Sequence, residues 1–346
     1  MLKEVADRAD RFGEVIFEVD VHVSRDRVLL RMRQTNATCL LERQLIRRDG
    51  ATFTQVLSID EDDTLLEFVA ADPYADHLRA QYQCIDRLYR EQLANRSAQP
   101  ESGQPLRDPL DEICHIRAST NEGELMKIMG RVVPQLGGRS YTYRWLHVPD
   151  RTRAITDQRC LIGCHPGWMH AYISQQWYRK DPSLDYALRN STSTLASDIE
   201  ALGDDHRAKD VAARYGFRSA VVCPVHRPSG TVIGLLQIGN GLPQPEGERV
   251  LWQDRHRVLM RALADEVLNW HIDALRDEEA SRVALDQREQ AVLRLVRAGR
   301  TACNVADMLG VSERTVYDIF QKINRKLGVS HITRAVAMAI DKGLLD

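Results

Sequence analysis

"SERTVYDIFQKINRKLGV", residues 312–329, reads as one helix with two unlike sides. Ser312 stands where an N-cap is expected, and Gly328 closes the run. Projected at about 100° per residue, Val316, Phe320, Ile323 and Leu327 cluster on one side, with Ile319 at its edge. Arg314, Asp318, Gln321 and Arg325 point away, flanked by Tyr317 and Lys322. The pattern predicts a helix that buries its apolar side and offers the other to a partner.

Its surroundings are helical as well. Asp286 and Glu289 form a capping-box pattern before "AVLRLV", and Gly299 stops that helix. "ACNVADML" is a short helix closed by Gly310, and "HITRAVAMAI" is a fourth, ending near Gly343. Four short helices with a tight Gly turn between the second and third have the shape of a helix-turn-helix unit. From 284 to 346 there are ten Lys and Arg against seven Asp and Glu, a net +3 in a chain of net charge −2. Basic charge is thus concentrated where phosphate binding would need it. Arg314 is placed to reach guanine, and Lys322, Arg325 and Lys326 to neutralise phosphates. Any one of these cations, read alone, is a solvated helix face; as a set on this motif, with Ser312, Thr315, Tyr317, Asp318 and Gln321, they make a double-stranded DNA surface.

The remaining residues divide into two blocks. In the first, "VIFEVDVHV" places Val15, Phe17, Val19, Val21 and Val23 at period two, a strand with one buried face. Asp49-Gly50 separates "CLLERQLI" from "TFTQVLSI" in a hairpin pattern. Pro73 opens a helix with Leu78, Tyr82, Ile85 and Tyr89 on one stripe. Residues 1–96 are therefore expected to form a small antiparallel sheet with one helix, and the polar stretch 97–107 a linker. The second block, 108–272, has helices at "NEGELMKIMGRVV", "PGWMHAYISQQW" and near Asp204 to Tyr215. Its strands are "SYTYRWLHV", "RAITDQRCLI", "FRSAVVCPVH" and "TVIGLLQIGN", the last two joined by a turn at Pro228-Ser229-Gly230. Pro224 inside its strand implies an edge or a bulge. A single long helix, "ERVLWQDRHRVLMRALADEVLNWHI", follows, then a linker over 273–283 and the helical block 284–346. The fold class expected is α+β: a layered α-β-α ligand domain and an all-α four-helix domain, preceded by a small β-rich α+β domain.

Bulk numbers set limits. The 346 residues leave room for two or three domains; 43% are apolar and 28% charged. No apolar run approaches the roughly 18 residues of a membrane span, and "MLKEVADRADRF" has no signal-peptide pattern. Seven scattered cysteines point to reduced thiols and a cytoplasmic protein. Cys160, Cys164 and His165 lie close together, but no second pair stands at metal-binding spacing, so incidental thiols and no metal are expected. Cys223 and His226 fall on opposite faces of a strand, no nucleophile–base pair stands out, and no enzyme is expected.

The segment from Leu285 to Leu344 resembles the DNA-binding domain of LuxR-type transcription regulators. Arg288, Glu289, Gly299, Ala306, Leu309, Ser312, Thr315, Val316, Ile323, Lys326, Leu327, Val329 and Gly343 stand where that pattern has them. "GWMHAYISQQWYRKDPSLDYAL" and "YGFRSAVVCPVHRPSGTVIGLLQIGN" look like the acyl-homoserine-lactone-binding domain of quorum-sensing regulators, through Trp168, Tyr172, Asp181, Pro182, Gly216, Pro224 and His226. The resemblance implies that Asp181 accepts a ligand amide N–H, Tyr172 donates to an acyl carbonyl and Trp168 is a flat wall. Tyr143, Ala196 and Ser219 are placed around the same pocket. Read from the residues alone, Trp168 and Tyr172 are a core stripe, and Asp181 caps a helix beginning at Pro182.

Several positions depart from the family pattern. Ala196 stands where the family has a tryptophan that binds the lactone carbonyl, and Ala220 where it has a glycine. On the DNA helix, Ile319 replaces a usual His and Tyr317 a polar residue, and Asn304 takes the place of a common Glu. Losing the indole donor costs a hydrogen bond worth about 1 kcal/mol. The expectation is a homodimeric, DNA-binding regulator responsive to an acyl-homoserine-lactone-like or other small molecule. It needs no cofactor and no membrane, has the 248–272 helix as a dimer surface, and has RNA polymerase as a further partner. The alternative is an orphan that acts by protein–protein interaction, as antagonist or heterodimer partner.

Overall fold

A computed structural model describes residues 11–59, 62–96, 107–148, 155, 157–199, 206–227, 232–282, 285–327, 329–341 and 344–345. The expected linker 97–107 lies almost wholly outside these residues, as do the turn at Pro228–Gly230, Asp204, Gly328 and Gly343. Four strands open the chain as an antiparallel meander: β1 (Glu14–Val23), β2 (Asp26–Gln34), β3 (Cys39–Ile46) and β4 (Thr52–Ile59). The β3–β4 connection turns at Gly50, whose φ of +84° suits a residue without Cβ. Val23 is buried and Phe17, Val19 and Val21 are partly so. A bulge between Val15 and Phe17 resets the alternation and leaves Val15 42% exposed, against the period-two expectation.

Two helices, rather than the one expected, cover this meander. "TLLEFVA" lies in α1 (Asp62–Ala71), which buries Leu65 and Phe68; α2 (Arg79–Arg96) buries Tyr82, Ile85 and Tyr89. The second helix does not open at Pro73. The Asp72 carboxylate accepts the Tyr74 N–H at 3.0 Å, holding residues 73–78 in turns.

Next come α3 (Pro109–His115), α4 (Glu122–Gln135), β5 (Ser140–His147), β6 (Asp157–Gly163) and α5 (Gly167–Ser174). Gln176 at φ +57° ends that helical segment, and a 3-10 turn follows (Trp177–Lys180). Then follow α6 (Pro182–Arg189), β7 (Thr194–Leu195), α7 (His206–Arg214), β8 (Ser219–His226), β9 (Val232–Asn240), α8 (Glu246–Leu251) and α9 (Asp254–Arg282). The helix expected over "ERVLWQDRHRV" is therefore two, broken at Trp252-Gln253. The linker expected at 273–283 is α9 itself through Arg282.

All nine strands form one sheet, in the order β1-β2-β3-β4-β6-β5-β9-β8-β7. The joint is β4 against β6, parallel and in register from Thr52↔Asp157 to Leu57↔Ile162. The N-terminal block is thus an extension of the central sheet, within one compact unit of residues 10–268, rather than a sheet of its own. Pro224 pairs with Leu235 on one side, while β7 reaches only Val221 and Val222 on the other. Its missing N–H therefore faces the unpaired edge.

Alternation sorts the two faces. One carries Arg43, Gln55, Cys160, Arg144, Leu235 and Gln237, and packs under α1, α2, α5 and α6. The other carries Tyr141 and Tyr143, whose hydroxyls reach the carbonyls of Met126 on α4 (3.4 Å) and Ala264 on α9 (3.5 Å). On that second face a charge network crosses the joint. Glu42, 2% exposed, takes Arg31 (2.8 Å), Arg33 (3.1 Å) and Arg159 (3.2 Å), and Arg159 also takes Glu122 (2.6 Å).

The other unit includes α10 (Gln287–Arg297), α11 (Ala302–Leu309), α12 (Glu313–Leu327) and α13 (Ile332–Asp341) around Val292, Leu293, Val305, Val316, Ile323 and Ala335. The expected caps are present: Asp286 and Glu289 form a capping box, and Gly310 closes α11 at φ +64°. Among the described residues no helix is long and apolar enough to cross a membrane, and none of the seven cysteines is in a disulfide.

Burial raises the Glu42 pKa, but Arg159, Arg33 and Arg31 outweigh it and hold the carboxyl below its usual value of 4.5. The stability it contributes is present above pH 4.5 and is lost as pH falls through the depressed folded value. Glu42→Gln is expected to cost about 3 kcal/mol at neutral pH. The gap to the parent chain should narrow below pH 4.5 in urea titrations.

Candidate functional site

The central sheet delivers an arginine where the sequence pattern placed none. Arg144 lies on β5 between Tyr143 and Trp145, and alternation turns it to the face under α5 and α6. It is 2% exposed. Its Nη1 donates to the Tyr172 hydroxyl at 2.7 Å and to Asp181 Oδ2 at 2.9 Å; Nη2 donates to Gln237 Oε1. Tyr172 in turn donates to Asp181 Oδ2 at 2.5 Å. Its ring also lies under the guanidinium, 5.2 Å from ring centroid to Cζ. Asp181 Oδ1 takes the Ser183 N–H at 2.8 Å and so caps α6, where Pro182 sits at the first position.

The capping reading of Asp181 is realised, and its second oxygen faces groups of the chain itself. One oxygen caps the helix, and the other is held by a buried cation and a phenol. Burial pushes the Tyr172 hydroxyl well above its ordinary pKa, so it remains a donor. Burial opposes charge on Arg144 as well, but Tyr172 and Asp181 reverse the balance and its pKa is raised. The guanidinium Nε, also buried, has no hydrogen-bond partner among the described residues. The sub-site therefore has a strong cation, a carboxylate with both oxygens engaged and an Nε–H without a partner among the described residues.

Around it the wall is aromatic. Half-buried Trp168 lies 5.7 Å from Tyr172, 5.9 Å from Trp177 and 6.1 Å from Phe217, measured between ring centroids. Trp168, Tyr172 and Asp181 are thus brought together as predicted. Ala196 borders the adjoining apolar cluster of Leu146, Leu184, Ala187 and Val222. Two predicted residues are elsewhere. Tyr143 faces α9 on the opposite side of the sheet. Ser219 points the same way as Cys223 on its strand and donates to the Leu242 carbonyl at 2.9 Å. Both lie out of phase with Arg144 and Val222, so neither lines this site.

The cysteine group is dispersed. Cys160 is buried beside Arg144 and burial pushes its thiol up to about 12, while His165 stacks on Tyr215 and stands 3.5 Å from Glu67. No group of three His, Cys, Asp or Glu side chains among the described residues could hold a metal.

A second buried cluster repeats the same chemistry further along the sheet. Arg43 holds both oxygens of Asp72 (3.0 and 2.9 Å) and Gln55 Oε1 (2.8 Å), and Tyr82 donates to Asp72. Between the two clusters, His170 on α5 packs on Phe68 at 4.5 Å. Burial, then the Arg43 charge, lowers its pKa to about 3, so it stays neutral.

On α12, Val316 and Ile323 are fully buried and Leu327 nearly so. Arg314, Tyr317, Asp318, Gln321 and Arg325 are exposed, as projected. Lys322 and Lys326 differ from expectation. Lys326 binds Glu289 at 2.7 Å; Lys322 binds Glu289 at 3.1 Å and Asp286 at 3.2 Å. They tie α12 to the capped start of α10, because Glu289 is 1% exposed and needs a counter-charge. Ser312 takes the Thr315 N–H at 3.2 Å, and their hydroxyls meet at 2.8 Å. Asn304 completes a capping box with Thr301.

Known proteins match both regions. A model of the autoinducer-binding domain matches residues 121–269, and one of bacterial regulatory proteins of the luxR family matches residues 283–339. Residues 1–120 lie outside both. The quorum sensing-dependent regulator VjbR of Brucella ovis is 25% identical over 238 residues, 66% of this chain and 90% of that protein. The quorum-sensing regulator RhlR of Pseudomonas aeruginosa is 25% identical over 222 residues, 63% and 88% of the two chains. The crystal structure of Escherichia coli SdiA aligns at a TM-score of 0.53 and 18% identity, covering 69% of this chain and 98% of that one. SdiA in complex with octanoyl-rac-glycerol aligns at the same TM-score.

Asp181→Asn would leave Arg144 buried with a neutral partner, and is expected to cost about 3–5 kcal/mol of unfolding free energy. Arg144→Met with Asp181→Asn should recover much of that loss, giving a coupling energy above about 1 kcal/mol in a denaturant double-mutant cycle.

Proposed function

We infer that this chain, which belongs to the LuxR-type quorum-sensing transcriptional regulators, binds specific DNA through α12 without requiring an acyl-homoserine lactone. The observation that carries this reading is Arg144. A lactone's amide N–H would need an acceptor on Asp181, and Oδ2 already receives a guanidinium and a phenol while Oδ1 caps α6. Replacing a charge-assisted bond to a buried arginine with a neutral amide bond is unfavourable, because the displaced cation would be left buried without its counter-charge. A signal suited to this site carries an acceptor for the open Nε of Arg144 rather than a donor for Asp181.

DNA is read as a dimer on a two-fold related site, one helix-turn-helix per half-site. Arg314 and Gln321 face bases, Arg325 faces phosphate, and Asp318 is placed to accept from a cytosine amino group. One observation favours a second reading, an interaction partner that does not bind DNA. Lys322 and Lys326 are both engaged with the start of α10, which leaves Arg314 and Arg325 as the cations of α12 outside an ion pair among the described residues.

Fluorescence anisotropy on genomic fragments separates the two, since the partner reading allows no specific complex. Affinity should be the same with and without short- and long-chain lactones or octanoylglycerol, and none should shift the melting temperature. Lactone-dependent DNA binding would refute the inference. In Arg144→Ala, Asp181 is released, and a lactone-induced thermal shift should appear in that variant alone.

Arg325→Ala should lower the salt slope of DNA binding by about 1, whereas Arg314→Ala should cost about 1–3 kcal/mol and relax specificity at one position. Lys326→Met should instead lower the melting temperature, because its charge serves Glu289.

A further inference from the structure

We propose that the cleft between the β1–β2 and β3–β4 turns binds a small phosphate-bearing molecule. Arg25 from the first turn, Arg47 and Arg48 from the second and Arg179 from the 3-10 turn line one concavity of about 450 Å³, with Asp26 and Asp49 at its rim. That volume lies in the range of small-molecule sites, roughly 300–1,000 Å³.

The arginines here differ from their neighbours. Arg27, Arg31 and Arg33 on β2, Arg43 on β3, and Arg79 and Arg90 on α2 each hold a carboxylate. Arg25, Arg47 and Arg48 make no side-chain ion pair or hydrogen bond among the described residues. Both rim carboxylates are already engaged, Asp49 by Arg179 at 3.2 Å and Asp26 by the Tyr74 hydroxyl at 2.9 Å. Four guanidiniums against two carboxylates leave the cleft with two excess positive charges. Guanidiniums gathered in one concavity repel one another until an anion joins them, and their planar forks match the oxygens of a phosphate two at a time.

The turns are also fixed in advance. Gly50 N–H donates to the Arg47 carbonyl and Arg47 N–H to the Ala51 carbonyl, both at 2.9 Å, and Ser24 holds a left-handed φ of +58°. A nucleic-acid duplex fits this site poorly. Its phosphates need an extended basic stripe, whereas this cleft is short and rimmed by two carboxylates that would repel a continuous polyanion. A phosphomonoester or nucleotide places one anionic group in the cleft and keeps the remainder clear of the rim. Arg25, Arg47 and Arg48 belong to the part of the chain outside the autoinducer-binding match, Arg179 lies within it, and the site is independent of what the Arg144 cluster accepts. Through Arg179, two residues before Asp181, it adjoins the segment that carries that cluster.

The test is calorimetric titration of the full chain with inorganic pyrophosphate at low salt. Saturable binding is expected, weakened about tenfold or more in Arg47→Gln/Arg48→Gln and in Arg25→Gln. The charge-matched Arg79→Gln/Arg90→Gln should bind as the parent chain does. Circular dichroism melts identify any variant that has lost its fold, and the single and double variants guard against reliance on one. Absence of saturable binding overturns the proposal, as does equal binding by all variants. It is also overturned if the Arg47/Arg48 variant keeps pyrophosphate affinity but loses DNA affinity, which would make the cleft a DNA contact.

Discussion

The parallel pairing of β4 with β6 is the constraint on which the rest of the larger unit depends. Parallel neighbours cannot be joined by a tight turn, so the chain between them must travel. Here it travels through α1–α4 and β5 before β6 is laid down. The register Gln55↔Cys160 then sets Arg43, Gln55, Cys160 and Arg144 in one row across four adjacent strands. A slip of one residue at this joint would put Cys160 and Arg144 on the face opposite Arg43 and Gln55. The Glu42–Arg159–Glu122 network opposes such a slip on the reverse face, because each buried charge would lose its partners together.

That row explains the two buried polar clusters. Each joins Arg, Asp, Tyr and Gln on the same side of one sheet, and each is closed by helices that also supply an apolar lid. Their geometries differ in a way that bears on function. Arg43 is matched fork to fork with Asp72 and spends its third nitrogen on Gln55, so each of its nitrogens has a partner. Arg144 meets Asp181 through a single nitrogen and leaves Nε open. Buried ion pairs contribute little net stability when measured against apolar replacements, and breaking one partner is what costs. An arginine with a partner on every nitrogen suits a fixed joint, even with Gln55 Nε2 unpartnered beside it among the described residues, and one with an open Nε suits a place where an outside acceptor completes the set.

How far the sequence is legible follows from the range of each interaction. Caps, Gly turns and the apolar stripe of α12 are local, and the residues from 285 to 341 could be read almost directly. Trp168, Tyr172 and Asp181 were also legible, since helix spacing and an Asp-Pro pair are short-range signals. Arg144 is not legible locally, because "SYTYRWLHV" reads as a strand whichever face is inward. Parity carried the missing signal. Thr142, Arg144 and Leu146 share a face, so naming Tyr143 as a pocket residue excluded its neighbour, and the structure reverses that choice. Ser219 fails for the same reason. The β4–β6 joint was illegible because no local pattern reports a parallel partner about a hundred residues away.

Lys322 and Lys326 show the same limit on a helix. Their position on the flank of α12 is compatible with phosphate or with a neighbouring helix, and only the site of Glu289 decides. The capping box of α10 places that carboxylate inward, where burial opposes its charge. Two lysines relieve the cost, and the pair of helices is fixed in return. The exposed face of α12 keeps Arg314, Tyr317, Asp318, Gln321, Lys322 and Arg325, with the Lys322 charge shared by carboxylates at the start of α10, a surface that gains less from phosphate neutralisation alone. Its discrimination must then rest more on base edges and on the shape of the site, which is the regime in which an aspartate and an exposed tyrosine are assets rather than defects.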